Sequence, residues 1–67
     1  MDYAAIGERV RIRRKALGIT QENLAEKIDV STSFIGHIER GTRKLSVETL
    51  YSLCVALGVS ADYLMGL

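Results

Sequence analysis

One short pattern recurs five times along the chain: an apolar residue, then Ser, Thr or Asp, then three residues, then a second apolar residue. The instances are Met1-Asp2…Ile6, Ile19-Thr20…Leu24, Val30-Ser31…Ile35, Leu45-Ser46…Leu50 and Val59-Ser60…Leu64. In each, the side-chain oxygen suits a helix N-cap, accepting a bond from an orphaned backbone N–H while the two apolar residues staple the entry. Five starts predict five helices. Gly18, Gly41 and Gly58 stand where a left-handed residue would end a helix. The pattern therefore predicts an all-α fold, a compact five-helix bundle with helices over residues 3–17, 21–28, 32–40, 47–57 and 61–65.

The stripes within these segments assign faces. Leu24, Ala25 and Ile28 form one helical stripe, and Ile35 and Ile38 a second. Between them, Asp29-Val30-Ser31 combines two poor helix formers with a strong N-cap type, so the segment folds back on itself. The first helix buries Tyr3, Ile6, Val10 and Leu17, yet Arg13 occupies a place that should be apolar. Either its aliphatic stem lies along the core edge, or the helix is rotated so that Ile12 shares the burial. The fourth helix, with Val47, Leu50, Leu53, Cys54 and Leu57, reads as the central core helix, and Cys54 as a small buried hydrophobe.

Sixty-seven residues make one small domain, residues 1–67, which buries only about 60% of its unfolded surface. With a single cysteine and no Cys/His cluster, neither a disulfide nor a metal staples it. No apolar run approaches a membrane span of about 18 residues, and the N-terminus lacks a signal-peptide plan, so the expected setting is cytoplasmic. One His, one Cys, no paired carboxylates on a shared face and no Gly-rich phosphate loop leave no catalytic constellation, so neither an enzyme nor a cofactor is expected. No ligand-sensing domain is visible, and no small-molecule ligand is predicted. The net charge of +1 hides a strong polarity. All nine basic residues fall between Arg9 and Lys44 against four acids, a surplus of five, while each flank carries two acids and no base.

The segment Gln21 to Arg40 resembles the helix-turn-helix of the phage-repressor type, the Cro and repressor class also called the xenobiotic-response-element class. Ala25, Ile28, Val30, Ile35 and Ile38 fall on its small and apolar positions. The likeness extends through Ile6-Gly7, Arg14, Gly18-Ile19-Thr20-Gln21, Ile38-Glu39-Arg40-Gly41 and Leu57-Gly58-Val59-Ser60-Ala61-Asp62-Tyr63-Leu64, covering practically the whole chain. It implies a lambda-repressor-like DNA-binding domain with the motif formed by helices 2 and 3, and a sequence-specific transcriptional repressor of double-stranded DNA. Asp29 departs from the usual Gly in the turn, and Arg13 departs in the first helix. Asp tolerates the left-handed conformation better than most residues, at a small cost in stability.

In such a motif the second helix enters the major groove. With Ile35 and Ile38 inward, Thr32, Ser33, Gly36, His37 and Arg40 point outward. The resemblance places base or near-base contacts at Ser31, Thr32, Ser33 and His37. Hydroxyls read bases permissively, whereas His37 can donate to a guanine acceptor or a phosphate, more effectively if protonated. Gly36 either lets the helix backbone approach the DNA closely or is a tolerated small residue; Phe34 is expected to pack on the loop after its helix. Gln21, Arg40, Thr42, Arg43, Lys44 and Arg11 are the candidate phosphate contacts, Arg11 as part of a patch with Arg9, Arg13 and Lys15. By resemblance, Arg14 and Glu39 form a partly buried ion pair, and Tyr63, Met65 and Leu67 a homodimer interface that suits palindromic half-sites. The alternative is an antitoxin-like or adaptor module that uses the same fold to bind a protein.

Overall fold

The computed structural model describes all 67 residues. Its helices are α1 (Tyr3–Ala16), α2 (Gln21–Ile28), α3 (Thr32–Arg40), α4 (Val47–Leu57) and α5 (Ala61–Met65), with no strand. The bounds match the sequence pattern except at the end of α1, which stops one residue early. The reason is visible at each start: the side chains of Asp2, Thr20, Ser31, Ser46 and Ser60 accept from the N–H groups of Ala5, Asn23, Phe34, Thr49 and Tyr63. At α2 the Asn23 side chain reciprocates by accepting from the Thr20 N–H at 3.0 Å, completing a capping box.

The helix ends are equally uniform. Gly18, Asp29, Gly41, Gly58 and Gly66 are all left-handed, and the residue after each returns its N–H to a carbonyl five residues back. Gly66 is an end that the sequence pattern left unmarked. Asp29, at φ 58°, is the one non-glycine among them and makes the turn of the motif as anticipated.

Nine residues form the core: Ile6, Val10, Leu24, Ala25, Ile35, Ile38, Leu53, Leu57 and Leu64. The central helix is α1, which packs against α3, α4 and α5; α4 packs against α2, α1 and α5 but not significantly against α3. That corrects the assignment of α4 as the centre. Val47 is 80% exposed, because it shares an outward stripe with Tyr51 and Val55 at four-residue spacing while Leu53 and Leu57 turn inward. Leu17 is likewise exposed at 42%, since it lies past the last turn of α1, and Ile19 packs on the core instead. Tyr3 is only half-buried.

Glycine makes the α1–α3 crossing close. A methyl at Gly7 would overlap the carbonyl oxygens of Ile38 and Glu39, both backbone atoms of α3. Arg13 settles the ambiguity in α1: Ile12 is 50% exposed, and the Arg13 Nε donates 2.9 Å to the carbonyl of Leu57 at the end of α4. Arg9 does the same for α5, donating to the carbonyl of Leu64 at 3.2 Å.

Two stability changes of opposite sign follow. Gly7→Ala should destabilise the fold by about 3 kcal/mol, the upper range for overpacking against atoms that cannot move aside. Asp29→Gly should stabilise it by roughly 0.5–1 kcal/mol by relieving left-handed strain. Thermal unfolding of the two variants reads both, and a Gly7→Ala protein that melts with the parent contradicts the tight crossing.

Candidate nucleic-acid interface

α2 and α3 are held in register by one charged cluster. Arg14 reaches from α1 to Glu39 of α3 with two hydrogen bonds, Nε to Oε2 at 2.6 Å and Nη2 to Oε1 at 3.1 Å. Its remaining arm, Nη1, donates to the carbonyl of Ile19 at 3.0 Å. Gln21, the first residue of α2, donates Nε2 to Glu39 Oε1 at 3.0 Å. Only 10% of the Arg14 side chain and 3% of the Glu39 side chain stay exposed. The hydrogen bond it donates to Glu39 pushes the Arg14 guanidinium above its ordinary value, against the opposing effect of burial, so it remains charged. No buried side-chain nitrogen or oxygen lacks a partner. The pairing anticipated for Arg14 and Glu39 is thus present, and Gln21 joins it as a third member.

That cluster presents a polar face. A shallow depression across α2 and α3 is lined by Gln21, Thr32, Ser33, Gly36, His37 and Arg40, with no apolar side chain among them. Thr32 and Ser33 are exposed, whereas Gly36 is buried beneath the Arg40 side chain, whose Nη1 would lie 3.1 Å from a methyl placed there. The small residue therefore makes room for a guanidinium laid back along the helix. Ser31 caps α3, accepting from the Phe34 N–H at 3.1 Å, which leaves its hydroxyl proton to donate outward. His37 and Thr42 are joined, Nδ1 to Oγ1, at 2.9 Å. Beyond α3, Arg43 lies over the ring of Phe34, 5.0 Å from its centre, so Phe34 packs on this loop as anticipated. Lys44 is exposed beside it.

A helix-turn-helix family profile matches residues 10–64. A transcriptional regulator from the ATPase CF(0) region of Rhodospirillum rubrum is 47% identical over 60 residues, covering 90% of this chain and 56% of that protein. The chain belongs to the phage-repressor-type helix-turn-helix family. Among solved members, the restriction-modification controller protein C.AhdI of Aeromonas hydrophila superposes with a TM-score of 0.88 at 35% identity, covering 94% of this chain and 96% of that one. The P22 c2 repressor bound to a synthetic operator superposes at 0.84 with 42% identity, covering 88% and 89%. The chain spans little more than half the length of the Rhodospirillum relative.

Within the helix-turn-helix domain, the remaining anticipated residues divide. The basic patch on α1 is largely engaged inside the protein: Arg9 and Arg13 cap α5 and α4, and Arg11 meets Glu8 in an exposed pair at 3.5 Å. At the C-terminus, Met65 packs partly on the core, leaving Tyr63 and Leu67 exposed at 43% and 85%. Cys54 is half-buried against the core, and burial pushes its thiol up, away from reactivity at neutral pH. No helix is long and apolar enough to cross a membrane. Glu39→Ala should cost about 3 kcal/mol or more, because it strands the Arg14 charge in a dry site and frees Gln21. Glu8→Ala, which removes only the exposed pair, should leave the melting temperature unchanged. Equal effects of the two substitutions would contradict the bracing role of the cluster.

Proposed function

We propose that the chain is a sequence-specific double-stranded DNA-binding repressor that places α3 in the major groove and acts as a homodimer in the cytoplasm, without catalysis or a cofactor. The observation that carries this reading is the segregation of its surface. The large exposed apolar residues are Met1, Ile12, Leu17, Val47, Tyr51, Val55, Tyr63 and Leu67, none of them on α2, α3 or the turn between them. The face of those two helices offers instead hydroxyls, an imidazole, an amide and a guanidinium, the groups that pair with base edges and phosphates. A protein-docking surface would place its apolar anchors there.

In this reading Ser31, Thr32, Ser33 and His37 meet base edges, while Gly36 lets Arg40 lie close to the helix. Arg40, Arg43 and Lys44 neutralise phosphates on the flank of α3. The N–H groups of Gln21 and Glu22, unpaired in the first turn of α2, favour a phosphate oxygen at the positive end of that helix. Arg11 adds a contact where its exposed pair with Glu8 leaves capacity, whereas Thr42, whose N–H and hydroxyl both donate to the His37 carbonyl, has no donor left for a phosphate. Tyr63, Met65 and Leu67 form the two-fold contact, setting two recognition helices about 34 Å apart on palindromic half-sites.

Fluorescence anisotropy against duplex DNA at two salt concentrations tests the reading. Each phosphate neutralised should add about 0.9 to the salt slope, so three or more cations give a steep loss of affinity with salt. Absence of binding at low salt would favour an antitoxin-like protein partner. Ser33→Ala and His37→Ala should change the preferred site, whereas Arg43→Ala should weaken all sites about equally. Three variants that behave alike would contradict the division between base reading and phosphate contact.

A further inference from the structure

We infer that Thr42 fixes the tautomer of His37 and thereby makes α3 select a base carrying an exocyclic amino group; this rests on the DNA reading proposed above. The starting point is an exception in a repeated device. All five helices end with an N–H returned to a carbonyl five residues back, from Ile19, Val30, Thr42, Val59 and Leu67 at 2.9–3.3 Å. Four of these residues are aliphatic, as suits the hydrophobic contact that usually accompanies such an end. Only α3 carries a hydroxyl there.

That hydroxyl is fully committed on one side. Thr42 Oγ1 lies 3.2 Å from the carbonyl oxygen of His37, which can only accept, so both contacts of the hydroxyl are hydrogen bonds only when its single proton goes to that carbonyl. The same oxygen lies 2.9 Å from His37 Nδ1 and has only lone pairs left to offer. The arrangement that bonds both contacts puts the ring proton on Nδ1. In the neutral ring, Nε2 is consequently a bare acceptor, and no protein atom bonds it.

An acceptor in the major groove pairs with the amino groups of adenine N6 or cytosine N4 and is repelled by the N7 and O6 of guanine. This reverses the expectation from sequence that His37 donates to guanine. Thr42 is the positioning residue, and the left-handed Gly41, at φ 74°, stands between α3 and Thr42, whose hydroxyl meets Nδ1 at the ring edge.

The tautomer is measured on the free, nitrogen-15-labelled protein at about pH 8, above the ordinary imidazole range. Long-range proton–nitrogen correlation should show His37 protonated at Nδ1, and Thr42→Val should move the proton toward Nε2, with Thr42→Ser retaining the parent pattern. A parent ring protonated at Nε2 overturns the inference. The base preference is measured on a duplex obtained by in vitro selection, replacing adenine by purine or cytosine by 2-pyrimidinone at each position to delete one amino group. One deletion should weaken the parent about tenfold, as for a lost hydrogen bond that strands its partner, and His37→Ala less than twofold. Coupling of His37 instead to a guanine replaced by 7-deazaguanine overturns the preference. Failure to select any duplex overturns the DNA reading and the preference together, while the nitrogen spectrum decides the tautomer independently.

Discussion

The salt bridge between Arg14 and Glu39 is the constraint on which the arrangement of this chain depends. An ion pair this dry gains little net stability over an apolar pair of the same shape, because desolvation offsets most of the attraction. Its value is geometric. Two arms of the Arg14 guanidinium bond Glu39 on α3 and the third bonds the Ile19 carbonyl in the turn before α2, and Glu39 in turn holds Gln21 at the start of α2. Gly7 allows α1 to approach α3 closely enough for the pair to form. The angle between α2 and α3, and hence the shape of the polar face, follows from these contacts rather than from the turn alone.

Much of this was legible in the sequence because the signals are local. A cap oxygen, its N3 donor and the stapling residues lie within six positions, so all five helix starts could be read from pattern alone. The inward direction of Ile35 and Ile38 was also periodic, and it located the outer face of α3 correctly. What the pattern missed involves partners distant along the chain. Arg9 and Arg13 look like a solvated basic run until Leu64 and Leu57, 55 and 44 residues away, present their carbonyls to them. Val47 fits an apolar stripe by type, and only the packing of α4 reveals that its face is outward. Gly36 looked like an open surface position, but Arg40 folds back over it. The His37–Thr42 contact needs the left-handed residue between helix and loop, and neither residue type alone signals it.

The surface divides into two chemistries that match the proposed role. Groups able to pair with a polyanion and with base edges collect on α2, α3 and the following loop, while apolar exposure collects on α1, α4, α5 and the terminus. In the proposed role this separation would let one face meet DNA while another supports association of two copies, without either site intruding on the core. Three cations of α1, Arg9, Arg13 and Arg14, bond helix ends and the brace, whereas Arg40, Arg43 and Lys44 are exposed.

The most direct test of the account is a titration of the nitrogen-15-labelled protein with a selected duplex, followed through backbone amide shifts. The account predicts large changes for residues 20–22 and 31–44, with the outward stripe of Val47, Tyr51 and Val55 unaffected by the DNA itself. Changes centred on that stripe, with residues 31–44 silent, would contradict the placement of α3 in the groove.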